Sequence, residues 1–197
     1  MEIVLATGNA HKAQELEKIL SPHRVLIPAD LGLDFDCEET GTTYLENALL
    51  KARTLSALTD KPVVADDSGI SLPALDGAPG IYSARYGSEE AGRMLTAPER
   101  NAYLLKNLED KDDWSAFFVC SMVLMVSEYR FYTVQETMEG RVTDQDAGEG
   151  GFGYDPVFFL EEKGKTVAEL SEEEKNLISH RGKAGAKLKL ILDSLES

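Results

Sequence analysis

The sequence predicts an α/β protein with a binding site at the edge of a sheet. Residues 3–6 are a buried apolar run, followed by a glycine turn and an amphipathic helix over 11–20. Residues 63–65 form a second, β-branched run, which we expect to end in the Asp-Asp-Ser-Gly sequence at 66–69. Ligands of open α/β sheets bind outside the carboxyl ends of strands, so these polar groups mark the candidate site.

The two carboxylates of Asp66 and Asp67 are the centre of this prediction. Carboxylates are rarely buried without a partner, so two of them at a strand end indicate a cation, a proton or water nearby. Adjacent strand residues point to opposite faces, so one Asp faces the site and the other supports it. The alternative is an Asp-Asp-Ser-Gly turn that only closes the strand.

The turn after the first strand is a candidate anion site. Strand, glycine turn and helix together point backbone N–H groups and a positive helix end at an anion. Lys12 lies in the first helical turn, where its charge opposes the helix dipole and no partner other than an anion is evident. The alternative is an ordinary turn with a solvated lysine, and the phosphate loop of P-loop NTPases is absent.

The remaining pattern fits one domain over residues 1–197 without repeats. Thr42 or Thr43 caps the second helix, with Glu46 near its start. Ser171 and Glu174 form a capping box before a short helix. The other predicted elements are a strand at 24–28, helices at 44–58 and 97–108, a hairpin of 115–126 with 129–139 across residues 127–128, a strand at 157–159 and a last helix opening at 179–184.

Composition excludes several classes of partner. The chain of 197 residues is 43% hydrophobic and carries a net charge of -15, which disfavours nucleic acids and anionic membranes. No apolar run reaches transmembrane length, and the N-terminus shows no basic leader. Cys37 and Cys120 have no metal spacing and fit reduced thiols in a cytoplasmic protein.

The polar residues together favour phosphate chemistry. Scattered acids without His or Cys metal spacing suit Mg²⁺, and Glu38 or Glu39 completes such a site if its loop folds towards Asp67. Otherwise these glutamates are part of a solvated loop. The glycine-rich segment 148–156 carries aromatic residues that can stack a flat ligand, although it is also compatible with a plain turn. Ser68 lacks the pattern of a serine nucleophile.

From the residues alone, the prediction is an Mg²⁺-dependent hydrolase of a phosphate ester or anhydride. An aspartyl-phosphate mechanism is less favoured, because its two aspartates are usually one residue apart and here they are adjacent.

Seven motifs, in order along nearly the whole chain, resemble the inosine triphosphate pyrophosphatase family and, within it, the bacterial XTP/dITP diphosphatases. The motifs are TGN at 7–9 with Lys12, EETG at 38–41, NALLKA at 47–52, ADDSG at 65–69, GAPGIYSARY at 77–86, GGFGYDP at 150–156 and SHRG at 179–182.

The resemblance implies hydrolysis of ITP, dITP and XTP to the monophosphate and pyrophosphate by an Mg²⁺-dependent homodimer that clears the nucleotide pool. It also implies a long mixed central sheet with flanking helices in two lobes and a cleft between them. Asp67 is then the catalytic acceptor and shares the metal with Glu39 or, less favoured, Glu38. The residues that the resemblance implies contact the substrate are Thr7, Gly8, Asn9, Ala10, His11, Lys12, Lys51, Ser68, Phe152, Gly153, Tyr154, Asp155, Lys175, His180 and Arg181.

The implied base contacts have a physical logic. Hypoxanthine and xanthine carry a 6-keto oxygen, an acceptor, where adenine carries an amine. The N–H groups of Lys175, His180 and Arg181 would donate hydrogen bonds to this oxygen. A site built on such hydrogen bonds discriminates by ~10⁴ or more. Two alternatives stay open: a Maf-like nucleotide pyrophosphatase of other base preference, and a non-catalytic nucleotide-binding module.

Overall fold

The computed structural model of the protein describes residues 1–196. Strands and helices alternate in the first part of the chain, up to residue 71, and then follow one another in runs of strands and pairs of helices. Its strands are β1 (Glu2–Leu5), β2 (Arg24–Leu26), β3 (Val63–Ser71), β4 (Ser115–Ser127), β5 (Arg130–Val142), β6 (Phe158–Leu160) and β7 (Lys165–Thr166). Its helices are α1 (Ala10–Ile19), α2 (Tyr44–Ser56), α3 (Ser88–Ala91), α4 (Ala97–Leu108), α5 (Glu172–Ile178) and α6 (His180–Leu195).

The seven strands found within residues 1–196 belong to one mixed sheet, in the order β2-β1-β3-β4-β5-β6-β7. The strand β1 pairs in parallel with β2 and β3, whereas β6 pairs antiparallel with β5 and β7. The predicted α/β class with a long mixed sheet and flanking helices is therefore confirmed.

The chain divides into two compact units, and it passes from one to the other four times. The first unit consists of Met1–Asp67, Cys120–Glu136 and the segment from Ser179 onward. The second consists of Ser68–Val119 and Thr137–Ile178. Neither unit is a continuous segment, and β3, β4 and β5 contribute residues to both.

The core of the first unit shows how β3 distributes its side chains. Val64 packs with apolar residues of α1 and α6, such as Leu16 and Leu188. Its neighbours Val63 and Ala65 pack instead in a second cluster with residues of α2. This alternation is the period of two that a strand imposes, and it extends to the residues that follow.

The second unit has its own core, centred on residues of β4, β6 and α4. Phe118 and Phe158 pack with their ring centroids 4.5 Å apart, among buried residues that include Leu104 and Leu108 of α4.

Two local predictions were wrong. The strand β3 does not end at residue 65 but runs to Ser71, so Asp66 and Asp67 lie within the strand and no Asp-Asp-Ser-Gly turn forms. The hairpin of β4 and β5 turns at residues 128–129, one residue later than predicted. By contrast, α2 is capped as predicted: of the two candidates, Thr42 and Thr43, it is Thr43 that caps the helix, with Glu46 as its capping-box partner.

The described residues 1–196 contain no helix that is both long and apolar enough to cross a membrane.

Candidate active site

Asp66 is a fully buried carboxylate held by two cations. Lys12 Nζ lies 2.9 Å from its Oδ2, and Nε and Nη2 of Arg181 lie 3.4 Å from the same oxygen. Burial favours the neutral carboxyl, but the charges of Lys12 and Arg181 outweigh it and hold the pKa of Asp66 well below its usual range. Within residues 1–196 the other oxygen, Oδ1, has no hydrogen-bond partner.

Arg181 connects this carboxylate to α1. Its Nη1 donates to Glu15 Oε2 at 2.9 Å, while the rest of its guanidinium faces Asp66. Burial opposes the charge of Arg181, but Asp66 and Glu15 outweigh it and raise the pKa of the guanidinium. The arginine is only 2% exposed. It therefore stays charged, and it braces Asp66 from the first turn of α6.

Asp67 points to the other face of β3, towards α2. Lys51 Nζ donates to its Oδ1 at 3.4 Å, and Asn47 Nδ2 donates to its Oδ2 at 3.3 Å. Burial raises the pKa of Asp67, and the charge of Lys51 only partly offsets this. Asp67 can therefore take up a proton more readily than an ordinary aspartate.

Lys51 joins Asp67 to a second carboxylate, Glu39. Its Nζ donates to Glu39 Oε1 at 2.6 Å. Burial would lower the pKa of Lys51, but Asp67, Asp66 and Glu39 raise it. Glu39 is half-buried and faces this cluster, whereas the neighbouring Glu38 is exposed.

The loop that carries Glu39 is fixed to the start of α2. Asn47 Oδ1 accepts a hydrogen bond from Gly41 N at 2.8 Å, and Thr43 Oγ1 accepts one from Glu46 N at 3.2 Å. A Cβ added at Gly41 would lie 2.6 Å from Asn47 Oδ1, so only glycine allows this approach. Asn47 thus connects the Glu39 loop with Asp67.

The turn before α1 is stabilised by its own side chains. Asn9 Oδ1 accepts from the N–H groups of His11 and Lys12 at 3.0 and 3.3 Å, and Thr7 Oγ1 accepts from Asn9 N at 3.1 Å. The first turn of α1 carries no acidic residue, which keeps it suited to an anion. The prediction that Lys12 has no partner except a bound anion was wrong, because Asp66 pairs with it.

The predicted aromatic site lies in the second unit. Asp155 Oδ2 accepts hydrogen bonds from Phe152 N at 2.7 Å and from Lys175 Nζ at 2.9 Å. The same Nζ lies 4.7 Å from the centroid of the Phe152 ring, which is a cation–π contact. Gly151 has a φ of +69°, and a Cβ there would lie 2.2 Å from Asp155 Oδ2. The glycine therefore permits the turn that sets Phe152 beside Lys175.

Three other predicted contact residues differ in how far they are buried. Tyr154 is buried, and its hydroxyl donates to Ser83 O at 2.8 Å. His180 is 5% exposed at the start of α6, where Ser179 caps the helix by accepting from Gly182 N. Ser68 is half-buried. Their contacts with a substrate stay predictions.

Sequence reasoning missed Glu15 and Asn47. Asn47 lies one helical turn before Lys51, so its presence on the same face of α2 was accessible from spacing alone. Glu15 and Arg181 are 166 residues apart, and no local pattern indicates their contact.

The fold and this cluster define an α/β protein with two buried carboxylates, each paired with a lysine. Residues 3–191 match the model of the Ham1 family. A relative from Treponema denticola, named dITP/XTP pyrophosphatase, is 51% identical over 93% of this chain and 94% of its own length. One of the same name from Shigella flexneri is 47% identical over 100% and 98%.

Solved structures agree with the sequence comparison. The Ham1 protein of Staphylococcus aureus matches with a TM-score of 0.86 and 39% identity, over 98% of this chain and 99% of its own. A Ham1 protein of Coxiella burnetii gives 0.87 and 38%, with the same coverage. The chain belongs to the Ham1 family, and the resemblance predicted from its motifs is confirmed.

Proposed function

We propose that this protein hydrolyses the deaminated purine nucleoside triphosphates ITP, dITP and XTP to the monophosphate and pyrophosphate. The names of its relatives support this substrate class. The observation that carries the proposal is the pair of adjacent carboxylates, Asp66 and Asp67, each bonded to a different lysine. Such a cluster offers both the cations that bind a polyphosphate and an oxygen that accepts a proton.

Lys12 and Lys51 are the proposed phosphate ligands. Both ammonium groups are largely buried, with side chains 15% and 11% exposed, and both now face carboxylates. A bound triphosphate would replace these carboxylates as the hydrogen-bond acceptor of the two lysines. The backbone N–H groups of the turn from Thr7 to Lys12 would add further donors. In this way the two lysines also stabilise the charge that develops on the departing pyrophosphate.

The donor set fits the Mg²⁺ that the family resemblance implies. Glu39 and Asp67 both reach the same ammonium group, so their oxygens converge on one small region. The described residues hold no group of three His, Cys, Asp or Glu that could bind a metal by itself. Mg²⁺ commonly takes one or two carboxylates plus substrate phosphates, which matches this arrangement. Bound there, the ion would polarise a phosphoryl oxygen and lower the pKa of water.

Asp67 is the proposed proton acceptor. As water adds to phosphorus and the anhydride P–O bond breaks, the proton of the water passes to a carboxylate oxygen of Asp67. The raised pKa of Asp67 suits this role, since a stronger base accepts the proton more readily. Asn47 and Lys51 fix the direction of the carboxylate throughout.

Phe152, Asp155 and Lys175 are the proposed base contacts. The Phe152 ring offers a stacking face, and Lys175 is a cationic donor suited to the 6-keto oxygen of hypoxanthine or xanthine. His180 and Arg181 keep the base-edge role that the resemblance implies as a prediction. For Arg181 that role competes with its bonds to Asp66 and Glu15.

We further propose that the protein acts as a homodimer in the cytoplasm. The family resemblance supports the dimer, and the two cysteines, both free, fit a reducing compartment.

A turnover series with ITP, XTP, GTP and ATP tests the proposed function. With Mg²⁺ we expect pyrophosphate release from ITP and XTP far faster than from ATP, and loss of that activity in excess chelator. Preference for another base would favour the Maf-like alternative. Binding without turnover would favour a non-catalytic module.

A further inference from the structure

The buried face of α4 contains one polar residue among leucines. Asn101, Leu104 and Leu108 are the buried positions of this helix, and their spacing defines a single stripe. Leu104 and Leu108 belong to the core of the second unit, whereas Asn101 is a primary amide that is only 4% exposed. A polar group at such a position is unfavourable unless it is hydrogen-bonded.

The amide of Asn101 is only half satisfied. Its Nδ2 donates to Gly153 O at 3.2 Å, across 52 residues of sequence. Its Oδ1 is buried and has no hydrogen-bond partner within residues 1–196. An apolar side chain of similar size would avoid that desolvation cost, so the packing of α4 does not explain why an asparagine stands there.

The bond from Asn101 ends in the segment that carries the aromatic ring. Gly153 follows Phe152 directly and has a φ of +65°. On one side this turn is held by Asp155, which accepts from Phe152 N, and on the other by Tyr154, whose hydroxyl reaches Ser83 O. Asn101 supplies a further side-chain hydrogen bond to the turn, at the carbonyl of Gly153, which lies between these two anchors.

We propose that Asn101 is a positioning residue for base recognition, which fixes the turn at residues 152–155 and thereby the Phe152 ring and the Asp155–Lys175 pair. The effect of Asn101 on base selection rests on the proposed function. The fixed position of the turn is a property of the free protein and does not depend on it. The proposal assigns a role in nucleotide selection to a helix residue outside the motifs that carry the family resemblance.

The test compares Asn101→Leu with Asn107→Leu. Asn107 lies on the same helix and also donates through its amide, but to the Tyr86 hydroxyl at 3.0 Å and not to the 152–155 turn. In Asn101→Leu we expect faster amide hydrogen exchange in the segment 148–156 of the free protein, while the melting temperature is unchanged or higher. Asn107→Leu should leave exchange in this segment at the wild-type level.

Kinetics provide the second measurement. Asn101→Leu should raise the KM for ITP about tenfold, the effect of one lost hydrogen bond. It should also lower the ratio of ITP turnover to ATP turnover. Asn107→Leu should change neither quantity. If leucine prevents folding, Asn101→Ala, which is too short to reach the carbonyl and adds no bulk, is measured in the same way.

Unchanged exchange in segment 148–156, or loss of stability with equal loss of ITP and ATP turnover, would overturn the proposal. Absence of ITP turnover in the wild type would instead refute the proposed function, and the exchange data would still decide whether Asn101 positions the turn.

Discussion

Asp66 and Asp67 are consecutive residues of β3, yet they bind different lysines and their pKa values shift in opposite directions. Asp66 faces Lys12 and Arg181 and has a lowered pKa. Asp67 faces Lys51 and Asn47 and has a raised pKa. The strand places them on opposite faces, so one carboxylate can stay ionised while the other exchanges a proton.

Replacement of Asp67 by asparagine tests its role as proton acceptor. Asp67→Asn keeps the size of the side chain and removes the charge, so we expect a folded protein with turnover reduced by ~10²–10⁴. Pyrophosphate release and a thermal melt of the same sample are the measurements. Activity near that of the wild type in a folded variant would remove Asp67 from the mechanism.

Replacement of Lys12 tests both its ion pair and its phosphate contact. Because Lys12→Ala leaves the buried Asp66 with Arg181 alone, we expect unfolding free energy to fall by about 1–3 kcal/mol. We also expect the KM for ITP to rise. Lys18→Ala is the matched control, since Lys18 is exposed on the same helix. A lower stability with unchanged KM would show that Lys12 is structural only.

Arg181 has two candidate roles that one variant separates. Arg181→Ala removes the partner of Glu15 in this ion pair and leaves the buried Asp66 with Lys12 alone, so we expect the unfolding free energy to fall by about 3–5 kcal/mol. The base-edge role implied by resemblance predicts, in addition, a narrower ratio of ITP to ATP turnover. If both substrates lose the same fraction of activity, Arg181 acts by supporting Asp66.

The start of α4 should respond to acid. Glu99 accepts from Thr96 N at 2.8 Å and bonds Arg93, and these contacts, Arg93 first, lower the pKa of Glu99 from 4.5 to about 2. A carboxylate with a lowered pKa stabilises the folded state above its unfolded pKa, and this contribution is lost as pH falls.

We therefore expect wild type to exceed Glu99→Gln in stability at neutral pH, and the difference to shrink between pH 4.5 and pH 2. Chemical denaturation across this range measures it. Glu109→Gln, an exposed acid at the other end of α4, shows the effect of losing a surface charge alone. A difference that grows with acidity would contradict the assignment.

Local patterns predicted the elements better than the ion pairs. The cap of α2 and the helix that opens at Ser179 depend on neighbours in sequence, and both were found. The strand β3 was predicted too short, because the turn preference of Asp, Ser and Gly was overridden by burial of Asp66 and Asp67 among their cations.

The contacts of Lys12 and Arg181 could not be predicted, because they depend on how distant segments pack. Asp66 and Arg181 are 115 residues apart, and the sequence offered each cation several acids as partners. Glu39 and Lys51 are only 12 residues apart, so their proximity was within the range of local reasoning.

Because side chains alternate along β3, the site is sensitive to the insertion or deletion of an odd number of residues in this strand. Val63 and Ala65 share a face with Asp67, whereas Val64 shares one with Asp66. Inserting or deleting a single residue ahead of the two valines and the two carboxylates would turn each of these side chains to the other face of the strand. Each carboxylate would then face the lysine that now binds the other one, and each valine would face the apolar cluster that now contains the other. The chain can change length here only in steps of two if the carboxylate with the lowered pKa and the one with the raised pKa are to keep their surroundings.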